Sequence, residues 1–121
     1  MRFAIAVLSL VLAGQAGAAF AQANSKQETA FGIEVARQGL WREARFRFER
    51  AVELDPQNTS ALNNLAISLE QQGEFDDARK NYERALELDG DNLYIQQNYD
   101  LFREADDKRR RKNRKRKSRS S

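Results

Sequence analysis

Apolar residues recur along this chain at helical intervals. Ala44, Phe48, Ala51 and Val52 stand at i, i+4, i+7 and i+8, which puts them on one face of a 3.6-residue helix. Ala78, Tyr82, Ala85 and Leu86 repeat that spacing. A second apolar set precedes each: Phe31, Gly32 and Val35 before the first, and Leu62, Leu65, Ala66 and Leu69 before the second. Gly39 and Gly73 close those sets, where a left-handed glycine ends a helix and opens a tight turn. Trp41 and Phe75 follow two residues later, placed to pack into the crevice between paired helices. Pro56 ends the second helix of the first pair, and Gly90 holds that place in the second pair. Asn58 or Thr59, and Asp91 or Asn92, are N-caps for the helices that follow. The pattern predicts two helical hairpins in series.

The hairpins are copies of one unit. Setting Ser25–Asn58 against Thr59–Asn92 pairs 34 positions, of which 12 are identical, where chance supplies roughly two. Ala44–Asp55 and Ala78–Asp89 agree at 8 of 12 positions. A hairpin of this length repeated head to tail is a solenoid. The period and motif resemble the tetratricopeptide repeat. Phe31-Gly32-x2-Val35, then Ala44-x3-Phe48-x2-Ala51 and Pro56, carry the likeness in unit one; Leu62-x2-Leu65-Ala66-x2-Leu69 and Ala78-x3-Tyr82-x2-Ala85 carry it in unit two. The departures are Glu28 at the usual aromatic position, Val35 and Leu69 for tyrosine, and Gly90 for proline. Glu28 suggests a solvent-facing first helix. The resemblance implies an all-α fold: an α-α superhelix of two hairpins (25–58 and 59–92) plus a C-terminal capping helix.

That cap is expected over about 92–111. Leu93, Tyr94, Ile95, Tyr99, Leu101 and Phe102 supply apolar positions, read as inward-facing with charges outward. Glu104–Lys108, Asp106–Arg110 and Asp107–Arg111 are i,i+4 pairs in the favourable order. Two and a half repeats are few for a solenoid, which leaves room for self-association.

Charge divides the chain. Residues 24–107 hold 10 Lys and Arg against 18 Asp and Glu, a net of −8, while residues 108–121 hold 10 cations and no acid. The folded domain is therefore expected at 24–107, followed by a basic, disordered tail at 108–121. Arg42, Arg45, Arg47 and Arg50 interleave with Glu43, Glu49 and Glu53 and read as a solvated, salt-bridged face.

The first 23 residues differ from the rest. Arg2 precedes the apolar run Phe3–Ala13, and small residues lead to Ala19-Phe20-Ala21-Gln22-Ala23. These are the parts of a cleavable secretory signal peptide, with cleavage after Ala21 or Ala23. An apolar core of this length is short for a membrane span, which needs roughly 20 residues. Gln15 follows Leu12-Ala13-Gly14 where a lipoprotein box requires cysteine. The expected location is periplasmic or secreted.

With no Cys and no His, the chain lacks thiolate chemistry, the commonest metal ligand and the usual neutral-pH base. No nucleophile–base pair, phosphate loop or metal spacing appears, so the reading is a non-enzymatic, cofactor-free adaptor that binds a protein. By the family's geometry, a concave groove would show Thr29, Ile33, Ala36 and Arg37 from unit one. Unit two would add Asn63, Asn64, Ile67 and Gln71, and the cap Tyr94, Gln97 and Asn98. Asn side chains can hold an extended backbone through paired donor and acceptor. Thr29, Ser60 and Asn98 stand where the family's carboxylate-gripping sites carry cations, which argues against a C-terminal carboxylate as ligand. The tail cations Lys108, Arg109, Arg110, Arg111, Lys112, Arg114, Lys115, Arg116 and Lys117 suit an anionic lipid or envelope surface, or an acidic partner. A nucleic-acid-binding role for the tail is the alternative. It is disfavoured because the tail has no aromatic to stack on bases and a signal peptide would carry the chain away from nucleic acid.

Overall fold

A computed structural model describes the backbone from residue 2 to residue 121 and the side chains from residue 14 onward. The apolar run Phe3–Ala13 of the expected signal segment thus falls outside the described side chains. Five helices follow in order: α1 (Arg2–Arg37), α2 (Trp41–Leu54), α3 (Thr59–Gln71), α4 (Phe75–Leu88) and α5 (Leu93–Ser120). α1 pairs with α2 and α3 with α4; α2 and α3 join the hairpins, and α5 rests on α4. Among the described residues no helix is long and apolar enough to cross a membrane.

The two hairpin turns share one set of backbone bonds, displaced by the repeat. Gly39 and Gly73 sit at φ 77° and 79°, a region that costs a side-chain-bearing residue roughly 1–2 kcal/mol. Leu40 N donates to Val35 O at 3.3 Å and Gly39 N to Ala36 O at 2.9 Å; Glu74 N reaches Leu69 O at 2.9 Å and Gly73 N reaches Glu70 O at 3.1 Å. This crossed pair satisfies carbonyls that the helix end would leave bare. At the junctions between units, Asn58 accepts from Ala61 N and Asn92 from Ile95 N as N-caps.

The core is built from large rings set against small residues. Phe48 and Tyr82 are each 1% exposed, among Ala44, Ala66 and Ala78 at 0%. Gly32 lies so close to Phe48 that a Cβ there would meet the ring at 2.6 Å. Phe102 of α5 joins the cluster, its ring centroid 5.4 Å from that of Tyr82. Ile95 extends a second cluster with Leu62 and Ala85. The Tyr82 hydroxyl donates to Glu70 Oε2 at 3.1 Å. Burial, reinforced by that carboxylate, pushes its pKa up and keeps it a donor.

Several features depart from the sequence reading. Phe31 is 48% exposed, because no earlier repeat covers it; the Arg47 guanidinium stacks over its ring at 4.5 Å instead. Glu28 does not face solvent. Its side chain is 18% exposed and pairs with Arg47 at 3.5 Å and Arg50 at 3.3 Å. The expected salt-bridged face of α2 is present in Arg45–Glu49 at 2.7 Å and Arg47–Glu43 at 3.7 Å. α5 is not uniformly apolar inward: Ile95 and Phe102 are buried, whereas Leu93, Tyr94 and Leu101 are exposed.

The largest departure is the tail. Rather than ending near Arg111 and giving way to disorder, α5 continues to Ser120. The repeat explains it: the left-handed glycines fall at 39 and 73, and the third place in that series is Asp107. With no residue suited to the turn, the helix runs straight through. Lys and Arg are good helix formers, and Lys117 and Arg119 lie in the last turn, where the helix dipole favours cations. Ser118 and Ser120 hydroxyls donate to the carbonyls of Lys115 and Lys117.

Gly32→Ala tests the ring-on-glycine packing. Ala is the better helix former, yet the added methyl must displace Phe48, so stability should fall by about 1–3 kcal/mol in urea denaturation. A neutral or stabilising change would show that the ring has room to move.

Candidate functional site

The 34-residue register sets a row of side chains along one side of the stacked hairpins. Ile33, Ile67 and Leu101 occupy the same place in successive units. Ile33 and Ile67 are half-buried against the main core, and Leu101 is 66% exposed. Gln71 is exposed beside this row, as are Gln97 and Tyr94. An apolar row flanked by amides is a surface on which another chain can lay apolar side chains and still pair its backbone.

The structure withdraws some of the expected groove residues. Thr29 and Asn63 are 5% and 1% exposed. The Thr29 hydroxyl donates to Ser25 O at 2.8 Å and accepts from Asn58 Nδ2 at 3.2 Å. Asn58 Nδ2 also donates to Ser25 Oγ, which itself donates to Ala51 O at 2.6 Å. Thr29 thus belongs to a small polar knot that ties the start of hairpin one to its last turn. Asn63 Oδ1 accepts from Asn98 Nδ2 at 3.2 Å, so these two amides join α3 to α5 instead of facing a ligand. Buried amides must find partners, and at these positions the partners are internal. Asn64 Nδ2 donates to its own helix at Ser60 O, 2.8 Å away. Arg37 is exposed and pairs with Glu34 at 3.5 Å. Ile33, Arg37, Asn64, Ile67, Gln71 and Tyr94 remain accessible at the expected groove positions. Leu101 was missing from the expected set, although the 34-residue step from Ile33 and Ile67 points straight to it.

A second arrangement stands where α5 leaves the body. Asp106 is 2% exposed and accepts from three arginines: Arg79 Nη2 at 2.8 Å, Arg109 Nη2 at 2.8 Å and Arg110 Nε at 2.7 Å. Arg110 also pairs with Asp76 at 2.9 Å, and the Arg109 guanidinium lies 3.1 Å from the Phe75 ring centroid. Burial pushes the Asp106 carboxyl up, but hydrogen bonds from Arg79, Arg109 and Arg110 outweigh it and hold its pKa down at about 2. Bonds from charged donors are the stronger kind, and they overcome the desolvation that an unpaired carboxylate would suffer.

This clasp changes the accounting of the tail. Arg109 and Arg110, expected to face an external anion, are committed to internal carboxylates. Lys108 pairs with Glu104 at 2.8 Å. Arg111, Lys112, Arg114, Lys115, Arg116 and Lys117 are exposed, and among the described residues they form no ion pair within the chain. Sequence spacing identified Asp106–Arg110. The contributions of Arg79 and Asp76 come from a different helix, and no local pattern reports them.

Comparison with known families places residues 29–92 in register with the tetratricopeptide repeat. That stretch spans most of both hairpins. Among curated proteins, none matches the chain.

The clasp has a pH signature. Its carboxyl titrates below the ordinary aspartate value of 3.8. The stabilisation it adds is therefore complete above about pH 4 and drains away as pH falls from 3.8 toward about 2. Asp106→Asn should cost about 1–2 kcal/mol at neutral pH, toward the low side because the arginines keep much of their water. It should also flatten stability across that acid window. Urea denaturation of both proteins at pH 7 and through the window measures each effect.

Proposed function

The chain belongs to the tetratricopeptide repeat family, whose repeats generally mediate protein–protein interaction and typically serve as non-catalytic scaffolds, and on that premise we propose that it is an exported adaptor. It binds a partner polypeptide across the concave side of the hairpins. The basic end of α5 contacts an anionic envelope surface or an acidic partner. The single observation that carries this reading is the Ile33–Ile67–Leu101 row, apolar and accessible at the repeat interval on an otherwise polar face. A lone exposed leucine is ordinary, but an aligned apolar row at fixed spacing is a binding surface.

Export rests on the pattern of residues 1–23, and the periplasm is the compartment it implies. Removal of the signal after Ala21 or Ala23 would spare Ser25, whose hydroxyl bonds to Ala51 O and Asn58. The mature chain would keep the polar knot of hairpin one. Fewer than three full repeats suffice here because α5 covers α4 with Ile95 and Phe102; each large apolar side chain so buried adds about 1.5–3 kcal/mol.

Ile67→Arg and Leu101→Arg place charges on the row without touching the clasp. Either should lower capture of the partner from periplasmic extract by about tenfold or more, since a charge in an apolar contact costs well over 1.4 kcal/mol. Unchanged capture would remove the groove from the reading. The intact mass of the protein recovered from the producing cell should correspond to a chain beginning at Gln22 or Asn24.

A further inference from the structure

Six exposed cations of α5, Lys108, Arg111, Lys112, Lys115, Arg116 and Arg119, line one face of the helix. A helix advances about 100° per residue, which sets this face opposite Asp106. Asp106 is held by Arg79 on α4, and Arg110 by Asp76 at the start of α4. The clasp therefore fixes the rotation of α5 and turns the six cations outward. The same rotation sets Tyr94, Gln97 and Leu101 in line with Lys108, Lys112, Lys115 and Arg119. One side of α5 thus reads apolar in its first half, with Tyr94 and Leu101 63% and 66% exposed. It reads cationic in its second half, over roughly 16 Å of helix from Lys108 to Arg119.

We infer that this side of α5 docks a polypeptide segment that is apolar at one end and acidic at the other. The inference rests on the groove reading above and names the chemistry of its partner. Charge complementarity carries the acidic end. Lys112, Lys115, Arg116 and Arg119 make no ion pair among the described residues, and the six cations stand together on an otherwise acidic molecule. The apolar end is carried by continuity: Leu101 is at once the last member of the apolar row and the start of the cationic line. A phosphate-rich surface matches the observations less well. It offers nothing to Tyr94 and Leu101, and a broad anionic sheet would face the exposed carboxylates of Asp100, Glu104 and Asp107 on the same helix. A short acidic segment laid over Lys112 to Arg119 lies beyond Asp100 and Asp107, and beyond Glu104, which falls on the line itself and is paired with Lys108. Exposed ion pairs are individually weak and salt-screened, so the apolar contact and several carboxylates act together.

The test uses the full chain and a fluorescent synthetic peptide, leucine-rich in its first half and glutamate-rich in its second, with a control carrying Gln for every Glu. Anisotropy at about 0.05 and about 0.5 M salt should show the Glu peptide binding about tenfold tighter than the control at low salt. The preference should vanish at high salt and in the Lys112→Glu/Lys115→Glu/Arg119→Glu variant, and Leu101→Arg should weaken both peptides. Equal affinity for the two peptides, no binding of either, or no effect of the triple variant overturns the inference. Equal affinity that Ile67→Arg abolishes does so while leaving the groove reading intact. Glu-peptide binding that survives both Leu101→Arg and Ile67→Arg overturns both the single apolar-to-cationic line and the groove reading. Cation-dependent binding to phosphatidylglycerol vesicles without peptide binding assigns the stripe to a lipid surface. A peptide-blind dimer that the triple variant dissolves assigns it to a second copy. Either of these last two results also overturns the inference.

Discussion

Close approach of paired helices, bought with small residues, is the constraint on which the rest of the structure depends. Phe48 fills its hairpin only because Gly32 has no Cβ to meet it, and Ala44 beside it has no more than a methyl group. Ala66 and Ala78 make the same room for Tyr82. Once both hairpins close in this way, their outer surfaces match and stack at a fixed interval. The interval then dictates where every other side chain falls, including the three that form the apolar row.

The C-terminal helix shows what happens when one element of the unit is missing. A third hairpin would need a left-handed residue at 107 and small residues beyond it. The chain has Asp107 followed by a run of Lys and Arg. α5 therefore seals the stack with Ile95 and Phe102 and then leaves it as a straight helix. A cationic helix projecting from a body of net charge −8 would have no fixed orientation by itself. The buried carboxylate of Asp106, shared among Arg79, Arg109 and Arg110, supplies one. Specific direction at a single point converts a bulk charge into a surface with a defined face.

These two features divide the proposed binding surface between them. The stacked hairpins offer apolar footing and amides, and the oriented helix offers charge. The family is typically a non-catalytic scaffold. Protein binding is what the family generally does, and in the function proposed here the row sets the ligand's shape and the helix its sign.

Much of this was legible in the residues themselves. Helical spacing, the 34-residue period, the turn glycines and the asparagine caps are local, so the pattern carries the hairpins and their boundaries. Ile33 and Ile67 are groove positions in the sequence reading, whereas Leu101 is read there as an inward-facing cap residue and the structure leaves it exposed, although the 34-residue period marks it as the next in their series. Burial was not legible. Thr29 and Asn63 are polar and sit at groove positions, yet the structure encloses them, because Asn58 and Asn98 approach from other helices. Glu28 similarly turns inward to meet Arg47 and Arg50 of α2. The tail also divides along this line. Its charge and helix-forming residues are sequence properties. Which of its cations are spent on the body and which face outward depends on Asp76 and Arg79, some 30 residues away, and only the packing of α5 on α4 brings them together.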